Sequence, residues 1–184
     1  LLSRGRGDVY KRQTLFQLSP NVVLLTRRDD GLIHEVNEHF EKILGWPAQE
    51  VIGKTTVELE LWAHADQRHQ VLEATRDNNG PVILEVQFRA RSGQLHDGIL
   101  CTQTIELEGV RCLLSTFVDT SERKRAEQAL KDSQERLDLA LDSAQLGTWD
   151  WHIPSGMLYG SARAAQLHGL DPVPFHLSLI HISE

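Results

Sequence analysis

The segment that most constrains the fold lies between Val82 and Val118, where three consecutive stretches read as strands joined by tight turns. Val82, Leu84, Val86, Phe88 and Ala90 alternate with Ile83, Glu85, Gln87, Arg89 and Arg91, the period of a half-buried strand. Ser92-Gly93 supplies a turn, and Leu95 to Leu107 then meets Val110 to Val118 through Glu108-Gly109. A two-residue hairpin there sets the register: Leu107 faces Val110, Ile105 faces Cys112, Cys101 faces Thr116, and Glu106 faces Arg111. Cys101 and Cys112 are therefore not cross-strand partners, which argues against a disulfide. Ile99, Cys101, Ile105, Leu107, Cys112, Leu114 and Val118 share a face expected to lie under helices. Gln103 and Thr116 would be the polar residues on that covered face. Leu100, Leu113 and Phe117 would point outward.

The preceding half supplies the cover. Asn21 to Thr26 reads as a buried strand, Asp29-Asp30-Gly31 as a turn, and Leu32 to Val36 as the returning strand. Asn37 is placed to cap the helix Glu38 to Leu44, which Gly45 ends. Pro47 opens a helical turn from Ala48 to Ile52, closed by Gly53. Ala65 to Asp77 reads as a helix with Val71, Leu72 and Ala74 on its apolar side, stopped by Asn78-Asn79-Gly80. Two strands, short helices and three more strands indicate an α+β fold: a five-stranded antiparallel sheet with short helices on one face.

Function classes narrow on charge and content. A net charge of -7 over 184 residues argues against nucleic acid as a partner. No apolar run approaches the roughly 20 residues of a membrane span. The start lacks the apolar centre of a signal peptide, and two cysteines make no disulfide framework, so a reduced, cytoplasmic protein is expected. Leu1–Gln13 and residues 175–184, with Leu177 to Glu184 clearest, resemble translated library-adapter sequence and are expected to be non-native. No catalytic constellation is present. His64 and His69 stand five apart, off a shared helix face, so no metal site is expected. His34-Glu35 lies in a strand and is rejected as a phosphoacceptor pair.

Four motifs in order resemble the PAS domain with its PAC extension. They are Asn37-Glu38-His39-Phe40 running through Leu44-Gly45-Trp46 to Gly53, His64-Ala65-Asp66-Gln67-Arg68, Phe88 to Gly93, and Asp119-Thr120-Ser121-Glu122-Arg123-Lys124. The resemblance covers 14–121. It implies a PAS fold with a pocket between helices and sheet, for which Gln103, Thr116 and His69 are the candidate lining residues. Asn37, Gly45, Gly53 and His64 are its structural positions, and Asp119 and Ser121 its signal-transmission joint. His69 lies on the helix that donates the axial histidine in haem-binding members, so a haem sensor is one reading. A flavin photoadduct is disfavoured, since the family's Asn-Cys-Arg context is absent; the cofactor is otherwise left open, and a small-molecule ligand is one candidate. Residues 122–145 resemble a signalling linker helix, with Ala126, Leu130, Ser133, Leu137, Ala140 and Ala144 forming a thin heptad seam. That seam and the outer sheet face imply a homodimer. Arg136 to Leu141, then Leu146 to Trp151, resemble the opening of a second, truncated PAS domain over 146–174. The implied parent is a bacterial sensor histidine kinase, a diguanylate cyclase or phosphodiesterase being the alternative. A ligand-free structural dimerisation domain is the reading from another class.

Overall fold

The computed structural model describes residues 13–76 and 80–178. Residues 1–12 and 179–184, on which the adapter-like reading mostly rests, and the Asn78-Asn79 stop lie outside them. The chain divides into two units that part after Lys124.

In the first unit, a helical turn at 13–17 precedes β1 (Val22–Arg27) and β2 (Ile33–Val36). Then come α1 (Glu38–Leu44), α2 (Ala48–Val51) and α3 (Ala65–Ala74), followed by β3 (Val82–Arg89), β4 (Leu95–Leu107) and β5 (Val110–Asp119). The strands form one antiparallel sheet in the order β2-β1-β5-β4-β3. The β4–β5 register is the expected one, Leu107 opposite Val110 and Cys101 opposite Thr116. Glu108 and Gly109 both take positive φ, 51° and 81°, which matches the twist that a two-residue hairpin needs.

The covered face is the reverse of the expected one. Leu100, Leu113 and Phe117 are buried with Val22, Leu24, Ile33, Val86 and Phe88, whereas Ile99, Leu107, Leu114 and Val118 are exposed. Alternation determines which residues share a face, but both faces of β4 and β5 carry aliphatic side chains, so the period alone cannot choose. β3 decides. Its apolar residues Val82, Leu84, Val86 and Phe88 pair with Thr102, Leu100, Gly98 and His96, which brings that second set under the helices. Gln103, exposed, and Thr116, half-buried, consequently lie on the face away from the helices.

The helices form where caps and spacing dictate. Phe40 and Leu44, four apart on α1, are both fully buried. Asn37 Oδ1 accepts from Phe40 N at 3.1 Å and from Val23 N at 2.9 Å, while its Nδ2 donates to Asn21 O at 2.8 Å. One side chain thus caps α1 and ties it to β1. Gly45 ends α1 in the left-handed region at φ 70°, its N–H reaching Glu41 O. α2 stops at Val51, one residue early, and Gly53 (φ 84°) donates to Ile33 O at 2.9 Å. α3 ends at Ala74, short of the expected Asp77, and Thr75 Oγ1 donates back to Val71 O at 2.8 Å.

Beyond β5 runs α4 (Ser121–Ser143), 23 residues long. No helix of the described residues is long and apolar enough to cross a membrane. The second unit continues with β6 (Trp149–His152), β7 (Met157–Gly160), α5 (Ala162–Leu167) and β8 (Phe175–Ser178). Its sheet order is β6-β7-β8, all antiparallel. The third strand joins the second strand of the hairpin, whereas in the first unit β5 joins the first. Phe175–Ser178, expected to be non-native, occupies that third strand.

Candidate functional site

The cavity of the first unit lies between the inner sheet face and α3. Leu24, Leu100, Leu113 and Ser115 come from the sheet, Phe88 and Trp62 close one side, and Val71 and Leu72 come from α3. Gln67 Oε1 accepts from Gln87 N at 2.9 Å, which holds α3 against β3. The free space within it is about 30 Å³. That is room for a few heavy atoms, well short of the roughly 300–1,000 Å³ of a drug-sized site.

Two of its hydroxyls, those of Ser115 and Thr56, are already engaged. Thr102 Oγ1 and Ser115 Oγ lie 2.8 Å apart in a mutual hydrogen bond, and Thr56 Oγ1 accepts from Trp62 Nε1 at 3.2 Å. The mouth is cationic. Arg27 donates to Asp30 from Nε at 2.8 Å and from Nη2, and these bonds, with the Leu32 amide, hold the Asp30 carboxyl well below the usual range. Arg28 Nη2 donates to Leu72 O at 2.9 Å, but its Nε is buried without a partner. Arg68 makes no ion pair among the described residues, and its Nη2 would stand 3.4 Å from a Cβ placed on Gly31.

From the cavity an aromatic row leads to the end of β5. Trp62 meets Phe88 edge-on at 4.9 Å between centroids, and Phe88 stacks on Phe117 at 4.6 Å. Phe117 lies against Gly98, where an added Cβ would come within 2.3 Å of the ring. Gly98 is the cross-strand partner of Asp119.

At Asp119 the strand becomes the helix. Asp119 Oδ1 accepts from Ser121 N at 2.8 Å, satisfying a first-turn amide of α4. Asp119 Oδ2 accepts from His96 Nδ1 at 2.7 Å, His96 being nearly buried. Ser121 Oγ accepts from Asp97 N at 2.9 Å. Asp97 O in turn accepts from Thr120 N at 2.8 Å, so β4 grips both residues that follow β5. Lys124 lies 3.4 Å from Glu85 and 3.5 Å from Asp97.

Burial raises the Asp119 carboxyl, but the bonds from Ser121 and His96 outweigh it and hold the group below its ordinary range. A lowered folded value means that the stabilisation is complete above the unfolded value of about 3.9 and is lost as pH falls through the folded one. Asp119→Asn should therefore trail the wild type by a constant margin from pH 7 to about pH 4, and the margin should vanish below. Urea midpoints across that range measure it. A margin unchanged at low pH would contradict the assignment.

The expected lining residues are not in the cavity. Gln103 and Thr116 are on the opposite face; Ser115, one position along from Thr116, lines the cavity, and Thr102, one position along from Gln103, is its buried hydrogen-bond partner. His69 is exposed on α3, whose buried residue is Val71. His64 stands at the start of α3 without a side-chain capping bond. Asn37, Gly45 and Gly53 occupy the structural positions described above, and Asp119 and Ser121 sit at the strand–helix joint. Arg28, Thr56 and His96 carry no local motif, and Arg68 closes the His64–Arg68 motif without being marked there as a cavity residue; only the strand register could have pointed to His96.

A family model described as "PAS fold" matches residues 10–120. The chain is 24% identical over 196 residues to a blue-light-activated histidine kinase of Brucella canis, covering 96% of this chain and 40% of that protein. A 45-residue stretch is 47% identical to hybrid signal transduction histidine kinase A of Dictyostelium discoideum, covering 24% of this chain and 2% of that one. The chain thus spans at most two fifths of these relatives. Among solved structures, the PAS domain of an HTR-like protein from Haloarcula marismortui superposes with a TM-score of 0.55 at 24% identity, covering 64% of this chain and 95% of that one.

Proposed function

The chain belongs to the PAS family, and from that premise we propose that its first unit senses occupancy of the cavity and reports it through Asp119 and Ser121 to α4. The observation that carries this reading is the continuity of β5. Ser115 lines the cavity, and four residues along the same strand, about 13 Å at 3.3 Å per residue, Asp119 holds the first amide of the helix. A change in the width of the cavity displaces β5, and the clamp on Thr120 and Ser121 passes that displacement to the helix rather than absorbing it.

The helix is suited to carry the report into a dimer. Ala126, Leu130, Ser133, Leu137 and Ala140 are all exposed on α4, with exposed Ala144 just past its end, a stripe that a second copy would bury. Ile83, Ile99, Leu114 and Val118 on the outer sheet face offer a second contact, in place of Leu100, Leu113 and Phe117. The full chain should sediment as a dimer, and Leu130→Glu with Leu137→Glu should convert it to a monomer without lowering the unfolding midpoint of the first unit. A monomeric parent chain would sink the seam.

The output we assign is a histidine kinase, on the likeness to the Brucella and Dictyostelium kinases; a diguanylate cyclase or phosphodiesterase is the alternative. The light response named for the Brucella protein is not carried over. Cys101 and Cys112 both lie on the face turned from the cavity, out of reach of anything bound in it. Exposure of His69 likewise removes the reason for a haem reading through that residue. A ligand-free spacer is the second reading, favoured by the small size of the cavity. Native mass spectrometry of the full chain tests the choice: a dimer retaining a small molecule supports the sensor, and a bare dimer supports the spacer.

A further inference from the structure

We infer that the cavity takes a short-chain monocarboxylate, its carboxylate held between Arg28 and Arg68 and its alkyl end lying among Leu24, Val71 and Phe88. This deepens the reading of the cavity as the sensing site and rests on it.

The mouth carries the argument. The chain has a net charge of -7, yet three arginines gather beside this one cavity. Arg27 is neutralised by Asp30. Arg28 and Arg68 have no carboxylate partner among the described residues. Arg28 spends one nitrogen on the Leu72 carbonyl, and its Nε is buried with nothing to accept from it. A buried donor without an acceptor is costly, and a guanidinium edge matches the two oxygens of a carboxylate. Gly31 keeps the place open. At φ 79° it suits glycine, and a Cβ there would press on Thr56 Oγ1 at 2.8 Å and on Arg68 at 3.4 Å.

The interior sets the remainder of the ligand. Ser115 and Thr56 have already found partners within the protein, so apart from the Thr26 hydroxyl the interior presents hydrocarbon and ring faces. A polyol, a sugar or a second carboxylate would find one hydroxyl there, on Thr26, too few to replace the water it loses. A cavity of about 30 Å³ admits only a few carbons. With the carboxylate outside at the arginines, an alkyl end of about two or three carbons, as in butyrate, is the most this space takes, and a long fatty acid does not fit.

Isothermal titration of the full chain with sodium butyrate, at constant ionic strength, tests the inference against n-butanol and octanoate. Butyrate should bind once per chain, and n-butanol, which keeps the alkyl body and drops the charge, should bind at least about tenfold more weakly. Octanoate should fail. Arg68→Gln is the decisive variant, because Arg68 holds no other group in place. It should weaken butyrate about tenfold while leaving n-butanol and the unfolding midpoint unchanged. Arg28→Gln should weaken butyrate too, with a lowered midpoint from the lost Leu72 bond. Equal affinity for acid and alcohol, or butyrate binding indifferent to Arg68→Gln, overturns the carboxylate and leaves a plain apolar sensor. Binding of neither compound also overturns it; the sensing role is tested independently by coupling between Ser115 and Asp119, which needs no ligand.

Discussion

Replacing Asn37 with alanine should destabilise the first unit by about 4 kcal/mol, since each buried group left unpaired costs about 1–3 kcal/mol. Asn37 is 1% exposed, and its side chain partners the amides of Val23 and Phe40 and the carbonyl of Asn21. Alanine offers none of these bonds and leaves no route for water to replace them. An ordinary exposed N-cap costs about 1 kcal/mol on the same change; the excess here comes from Val23, because the same oxygen also holds a sheet strand. Urea unfolding should show the midpoint lowered with the slope unchanged. A loss under about 1 kcal/mol would mean that Asn37 is only a cap and that α1 is held to β1 by packing alone.

Gly98→Ala is the second large effect, about 3 kcal/mol and a fall in Tm of the order of 10 °C or more. The added methyl would stand 2.3 Å from the Phe117 ring and 2.5 Å from the Val118 carbonyl oxygen. The ring cannot turn aside, since it is fully buried and stacked on Phe88. The carbonyl belongs to the central β4–β5 ladder. Relief must come from parting those strands, which would also spread the joint at Asp119. Thermal unfolding followed by circular dichroism measures the loss; a change of less than about 3 °C would show that the strands part easily.

Much of this fold was legible because its signals are local. The Glu108-Gly109 turn determined the β4–β5 register down to the residue pair, and Asn37 and Gly45 marked both ends of α1. Asp119 and Ser121 were legible for the same reason, although their work is divided: Asp119 caps, and Ser121 is held by Asp97. The orientation of the sheet was not legible. Each strand of the β4–β5 hairpin carries aliphatics on both sides, so local pattern left a twofold choice that only pairing with β3 resolves. That parity error placed Thr116 in the cavity wall where its neighbour Ser115 stands, and put Gln103 on the covered face in place of Thr102. Arg28 and Arg68 escaped notice as cavity residues for another reason. They follow β1 and lie within α3, forty residues apart, and nothing in either neighbourhood marks them as meeting at one mouth. His96 likewise becomes informative only when β4 brings it beside Asp119.

The central claim is that the cavity wall and the helix joint are energetically coupled through β5. Ser115 and Asp119 lie about 13 Å apart along the strand, far enough that independent effects would add to within about 0.5 kcal/mol. The direct test is hydrogen exchange at the Lys124 amide, which closes the first turn of α4 against Thr120 O at 2.9 Å. Ser115→Val, which removes the hydroxyl from the cavity wall and unpairs Thr102, should change Lys124 protection by about twofold or more. The same substitution in an Asp119→Ala background should leave Lys124 protection unaltered. Equal changes in both backgrounds, or none in either, would contradict the claim that Asp119 carries the state of the cavity into the helix.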